Sequence, residues 1–145
     1  MYLFDTFEGM PDPTQDDVDV RGIAANSQFE KVRCYAGLEE VKRVVLETGY
    51  PADKIHFVKG MVEDTIPIHS PEQIALLRLD TDWYESTKHE LIHLYPRLTK
   101  FGVLIIDDYG HWQGARKAVD EFIGELKEPI LLNRIDYTGR VAIKP

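Results

Sequence analysis

Two adjacent carboxylates close the apolar run at the start of LIIDDYGHWQGARKAVDEF, Leu104 to Phe122, just before a helix-period segment begins. Acids recur where other apolar runs end: Asp5 after YLF, Glu63 and Asp64 shortly after KIHFVKG, Asp80 and Asp82 after IALLRL. Carboxylates that converge repel one another, so such a set calls for a cation, shared protons or wide spacing. Oxygen donors of the Asp80, Asp107 and Asp108 kind suit a hard divalent ion such as Mg²⁺, which takes few carboxylates and keeps room for water or substrate oxygens. Zinc fits less well, because no His/Cys cluster with ligand spacing is present. The plainer alternative is that an acid after a strand caps a helix or sits in a loop. For Asp82 that alternative is favoured, as the cap of a helix starting near Trp83.

The elements that must position these acids follow from hydrophobic periodicity. Tyr2 to Asp5 reads as the end of a buried strand, followed through Asn26 by a long polar loop of the kind that often serves as a lid. Leu38, Val41, Val45 and Thr48 share a helix face that Gly49 and Pro51 terminate, and Lys54 to Lys59 reads as the next strand. Ile74 to Asp80 is a third strand, and Tyr84, Leu91, Tyr95 and Leu98 make an amphipathic helix face. Val103 to Ile106 is a further apolar strand, and Ala115, Ala118, Val119, Phe122 and Leu126 line another helix. Ile130 to Ile135 and Arg140 to Lys144 flank a Tyr-Thr-Gly turn and predict a closing hairpin. Apolar strands alternating with amphipathic helices predict a doubly wound, mostly parallel α/β sheet covered on both faces. Ligands bind such sheets at the carboxyl ends of the strands, where the acids stand.

Composition narrows the partners. The 145 residues, 43% of them hydrophobic, suffice for one packed domain. A net charge of −8 leaves no dense basic face to displace counterions from a phosphate backbone, so nucleic acid is not an expected partner. Cys34 is the single cysteine, and no apolar run approaches the roughly 18 residues of a membrane span. The expectation is a soluble, cytoplasmic chain with no membrane partner.

The stretches YLFDTFEGMP, LLRLDTDWYEST, LYPRL and GVLIIDDYGHWQGARKAVDEF resemble the macrocin O-methyltransferase (TylF-type) family. That resemblance implies a class I methyltransferase fold, with S-adenosylmethionine as methyl donor and a sugar hydroxyl of a natural product as acceptor. It implies a Mg²⁺ site on Asp80, Asp107 and Asp108, with Asp80 as general base. It also implies that Asp5 receives the ribose hydroxyls of the cofactor and that residues within Met61 to Asp64, Asp64 among them, contact its adenine. A turn-capping role for Asp64 is the equal alternative. His111 could orient substrate and Trp83 and Trp112 could line an acceptor pocket, although structural roles are commoner for all three. Family membership further implies self-association into a homo-oligomer.

No GxGxxG-like stretch occurs in the sequence, and Tyr2 to Asp5 resembles the family's second strand. Residues 1–145 therefore read as the C-terminal portion of one methyltransferase-like domain, without the first strand and its Gly-rich cofactor turn. Two expectations follow: the strands flanking the missing one pair directly or accept a strand from another copy, and cofactor binding is weak. A noncatalytic α/β module that keeps the acidic rim for a metal or a partner is the alternative function.

Overall fold

A computed structural model describes residues 1–32 and 34–145. Strand β1 (Tyr2–Asp5) leads into a long strap, residues 6–28, that ends in a 3₁₀ turn at Ala25–Ser27. Helices α1 (Phe29–Val32) and α2 (Leu38–Glu47) follow, then a 3₁₀ turn at Ala52–Lys54 and strand β2 (His56–Lys59). Helix α3 (Val62–Thr65), strand β3 (Ile74–Leu79), helix α4 (Tyr84–Leu94) and strand β4 (Leu98–Ile106) come next. Helix α5 (Gln113–Glu125) and the strands β5 (Asn133–Arg134) and β6 (Arg140–Ile143) complete the chain.

The parallel strands and the closing antiparallel hairpin of the sequence reading are present, distributed over two sheets. β1 and β2 form a parallel pair, and a separate mixed sheet has the order β3-β4-β6-β5. Within it β3 and β4 run parallel, with Leu77 opposite Leu104 and Leu79 opposite Ile106, while β6 pairs antiparallel with β4 and with β5 as the predicted hairpin. β1 and β3 do not pair, so the expected direct closure is absent among the described residues. β1 pairs with β2 and β3 with β4, and no described strand bridges the two pairs.

The core lies on one face of the mixed sheet. Leu77, Leu79, Leu104, Ile106 and Ala142 point toward α4 and α5, whose Leu91, Leu94, Ala118 and Val119 are buried. Alternation sends Leu76 and Ile143 to the other face, where they are 60% and 61% exposed. Cover on both faces is thus the part of the reading that is corrected, and α2 does not supply that cover, since it contains no buried residue.

Leu98 is a second correction. The helical spacing assigned it to the α4 face, but a 3₁₀ turn at Tyr95–Arg97 ends the helix around Pro96 and Leu98 opens β4. The register between β3 and β4 jumps between Leu98 and Val103, where Phe101 takes φ 63 and Gly102 is packed too tightly for a side chain. A Cβ on Gly102 would lie 2.8 Å from the Thr99 carbonyl oxygen. No described helix is long and apolar enough to cross a membrane.

Candidate functional site

β3 and β4 are parallel neighbours, so their carboxyl ends deliver their acids to one place. β3 hands the chain to Asp80-Thr81-Asp82 before α4, and β4 hands it to Asp107-Asp108 before α5. The Asp107 N–H donates to the Leu79 carbonyl at 3.0 Å, which stitches the two strand ends together. One carboxylate oxygen from each of Asp80, Asp82 and Asp108 lies within 4.8 Å of the others.

The favoured cap role for Asp82 is therefore corrected. Trp83 is the N-cap of α4 and makes no side-chain capping bond, while the Tyr84 N–H donates to Asp17 at 2.9 Å. Asp82 instead takes φ 64, a left-handed conformation that Asp tolerates better than most residues, and its carboxyl joins the acid cluster.

Asp107 sits at the same strand end but is engaged differently. Arg78 spans two acids, with Nη1 at 2.7 Å from Asp80 and Nη2 at 2.7 Å from Asp107. Asp80 thus belongs to both groupings: with Asp82 and Asp108 it makes the close trio of carboxylates, and with Asp107 it shares the guanidinium. Burial, a hydrogen bond shared with Asp107 and the charges of Asp107 and Asp108 push the Asp80 carboxyl up, against the opposing pull of Arg78. Burial, a hydrogen bond with Asp108 and the surrounding carboxylates push Asp82 up further. Acids crowded in this way hold protons or a cation. Three hard oxygen donors with no sulfur or imidazole among them fit Mg²⁺.

The cluster forms one wall of a cleft of about 470 Å³. Phe4, Asp5, Met10 and Pro11 line it from the β1 side, Tyr35 and Ala36 from the approach to α2, and Gly60, Met61, Val62 and Glu63 from the start of α3. Asp5 is present there, and its Oδ1 accepts the Phe7 N–H. Asp64 is not among the lining residues: it is exposed in the first turn of α3, and the side chain presented to the cleft is its neighbour Glu63. Glu63 Oε1 accepts from Ser86 Oγ at 2.7 Å, whereas its Oε2 is buried without a partner among the described residues. A buried acceptor of that kind fits a ligand with hydroxyl or amino donors, as the sugar and base of S-adenosylmethionine have. Gly60, at φ 143, turns the chain from β2 into α3 where a Cβ would meet Thr65 Cγ2 at 2.9 Å.

Behind Glu63, Glu90 is buried and accepts from Thr81 Oγ1 at 2.9 Å. Burial, opposed by the Thr81 bond and aided by the charges of Glu63 and Asp80, pushes its carboxyl up to about 8. Sequence reading passed over Glu90 because it falls within a helix pattern that looks locally ordinary. Trp83 and Trp112 are buried against each other, edge to face at 5.0 Å, and do not line the cleft. His111 lies between Trp112 and Tyr137, its Nδ1 3.2 Å from the Tyr137 hydroxyl. A second groove, of about 480 Å³ along α5, holds none of the clustered acids.

An α/β frame that empties parallel strands into an acid-lined cleft and closes on an antiparallel hairpin defines a class I methyltransferase fold. The likeness to a solved structure of the O-methyltransferase NovP agrees: 30% identity, 99% of this chain and 59% of that one covered, TM-score 0.83. The chain belongs to the macrocin O-methyltransferase family, described as Macrocin-O-methyltransferase (TylF), which it matches over residues 1–143. Among curated relatives it is 36% identical over 123 residues to mycinamicin III 3''-O-methyltransferase of Micromonospora griseorubida, covering 84% of this chain and 48% of that protein. It is 35% identical over 141 residues to 8-demethyl-8-(2,3-dimethoxy-alpha-L-rhamnosyl)-tetracenomycin-C 4'-O-methyltransferase of Streptomyces olivaceus, covering 96% and 52%. The chain spans about half the length of these relatives.

Proposed function

We propose that this chain forms the acid-bearing part of an enzyme that transfers a methyl group from S-adenosylmethionine to a sugar hydroxyl of a natural product, assisted by Mg²⁺. The observation that carries the reading is the convergence of Asp80, Asp82 and Asp108 within 4.8 Å beside the cleft. The relatives' activities agree with it: each is named as an O-methyltransferase, and one acts on a rhamnosyl-bearing substrate.

A sugar hydroxyl has a pKa far above neutrality, so methylation at oxygen needs help in removing the proton. Bound Mg²⁺ supplies positive charge that lowers the proton affinity of a nearby hydroxyl. In this reading Asp80, Asp82 and Asp108 hold the ion, and Asp107 is the fourth acid of the set, kept in place by Arg78. Asp80 accepts the proton, its carboxyl being 44% exposed at the cleft. Asp5 and Glu63 orient the donor from the opposite wall, and Asp64, exposed outside the cleft, takes no part. Alignment of oxygen, methyl carbon and sulfur then supplies most of the remaining rate.

The direct test is incubation with S-adenosylmethionine, Mg²⁺ and a rhamnosylated polyketide, read by mass spectrometry as the gain of one methylene. Product that forms equally well with a chelator present removes the metal from the reading. A second reading, a noncatalytic module that binds metal or a partner at the same rim, is favoured by the separation of the two sheets that border the cleft. Mg²⁺ binding without turnover would select it.

A further inference from the structure

Residues 6–28 are not a free lid. Glu8 pairs with Lys59 of β2 at 2.6 Å and Phe7 packs against Phe57, but from Pro11 to Asp19 the strap is tied to the starts of α4 and α5, the two helices that leave the acid-bearing junctions. Asp17 is completely buried, and its Oδ1 accepts the Tyr84 N–H at 2.9 Å, two residues beyond Asp82. Its Oδ2 accepts from Thr14 N at 2.7 Å and Thr14 Oγ1 at 2.8 Å, so the carboxylate is satisfied from both chain segments. On the α5 side, Gln113 N donates to the Val18 carbonyl and Gln113 Nε2 to the Asp19 carbonyl, both at 2.8 Å. Trp83 Nε1 donates to the Pro11 carbonyl at 2.9 Å, and Lys117 pairs with Asp16 at 2.9 Å. Gly114 completes the joint: a Cβ there would lie 2.3 Å from Asp17 Oδ1 and 3.2 Å from Tyr84 N. Ala25 of the strap forms a small core with Trp83, Trp112 and Ala115.

We propose that Asp17 is a positioning residue whose buried carboxylate clamps the start of α4 against α5 and so sets the spacing between Asp80-Asp82 and Asp107-Asp108. The geometry is a short lever. The β3–α4 junction and the β4–α5 junction each carry acids on one side and a strap attachment within a few residues on the other, so movement of either helix start displaces its acids. A cation site of three carboxylates tolerates little displacement, and groups that orient ligands from outside typically carry about 10- to 100-fold in metal affinity. The same strap brings Met10 and Pro11 to the cleft wall, so the clamp also fixes one side of the donor site. This inference rests on the proposed Mg²⁺ reading for its consequence, but the clamp itself has a metal-free signature.

That signature comes from the chain's only two tryptophans, one at each helix start and 5.0 Å apart. Close indoles give an exciton couplet in circular dichroism, which reports the spacing of the two junctions without any ligand. The experiment compares the wild-type chain with Asp17→Ala, Asp17→Asn and Gly114→Ala, each at a temperature where its helical signal is intact, and follows the couplet together with Mg²⁺ titration by calorimetry. Asp17→Ala and Gly114→Ala are expected to lose the couplet and to bind Mg²⁺ about 10-fold more weakly or worse. Asp17→Asn, which keeps an acceptor for Tyr84, should retain most of both. A couplet retained in both Asp17→Ala and Gly114→Ala would overturn the proposal, as would an unchanged Mg²⁺ affinity once the couplet is gone. If the wild type binds no Mg²⁺ while the couplet still collapses in the variants, the clamp stands and the metal reading is what fails.

Discussion

At the scale of single residues, the site is governed by which acids face one another and which face a cation that the chain already provides. Asp82 and Asp108 stand in the close trio of carboxylates, whereas Asp107 lies outside it and shares the Arg78 guanidinium with Asp80. Asp82→Asn and Asp108→Asn should therefore weaken Mg²⁺ binding by at least about tenfold, and Asp107→Asn should weaken it less. Calorimetric titration ranks the three, and an Asp107 variant that is the worst would return that residue to the centre of the site. Glu90 supports a prediction about pH. Its folded-state carboxyl sits at about 8 against the usual 4.5, so between those values the folded chain keeps a proton that the unfolded chain releases. Stability must then fall as pH rises through that window, by an amount on the order of 4 kcal/mol from this group, and level off above it. Glu90→Gln removes the contribution, so the stability difference between variant and wild type should grow from pH 5 to pH 8 in the variant's favour. Urea unfolding in the presence of a chelator measures it; parallel pH dependences in the two proteins would refute it. The acids themselves were legible in the sequence because each ends an apolar run. The role of Asp82 was not, because the group that occupies the α4 N-terminus comes from Asp17, a position that no local pattern reveals.

At the scale of elements, packing of α4 and α5 on the mixed sheet supplies the rigidity that the junctions need. Leu91 and Val119 are fully buried where the two helices meet the sheet, over Leu104 and Ile106. Leu91→Ala should cost about 2–5 kcal/mol, from lost burial and the cavity left behind, read as a lower urea midpoint with an unchanged slope. A loss below about 1 kcal/mol would mean that the helix is not held by this contact. Periodicity located these elements well, since α4, α5, β3 and the hairpin all lie where apolar spacing placed them. It failed at Leu98, which continues the helical spacing of Tyr84, Leu91 and Tyr95 but stands after Pro96 in the first position of β4. An apolar residue three positions on satisfies a helix pattern whether or not the helix survives, and only the pairing of Ile74 with Leu98 decides it. The strap was legible as a polar loop and no further. Its attachments run through buried aspartates and backbone groups that polar composition alone does not distinguish from a solvated loop.

At the scale of the whole molecule, an uncovered sheet face and an unfilled gap bear on what the chain does by itself. Leu76, Val103 and Ile143 lie in one row across the mixed sheet, and Ile105 and Val141 continue the next row beside Arg78. Parallel strands are ordinarily buried on both faces, so an apolar surface of this kind seeks cover. A net charge of −8 opposes association of like chains, and that repulsion weakens as salt screens it. The chain should therefore self-associate increasingly as ionic strength rises, which sedimentation velocity can follow. The same gap limits cofactor binding. One wall of the cleft belongs to β1 and α3, the other to the ends of β3 and β4, and among the described residues no strand pairing joins the two sheets. A ligand that touches both walls must bear the cost of fixing them relative to each other, and that cost is subtracted from its affinity. S-adenosylhomocysteine is expected to bind the isolated chain more weakly than about 0.1 mM, or some 5 kcal/mol of binding free energy at most. Calorimetric titration at low salt, where the chain is least associated, is the test. Micromolar binding by a monomer would show that the two walls are already fixed without a strand between them.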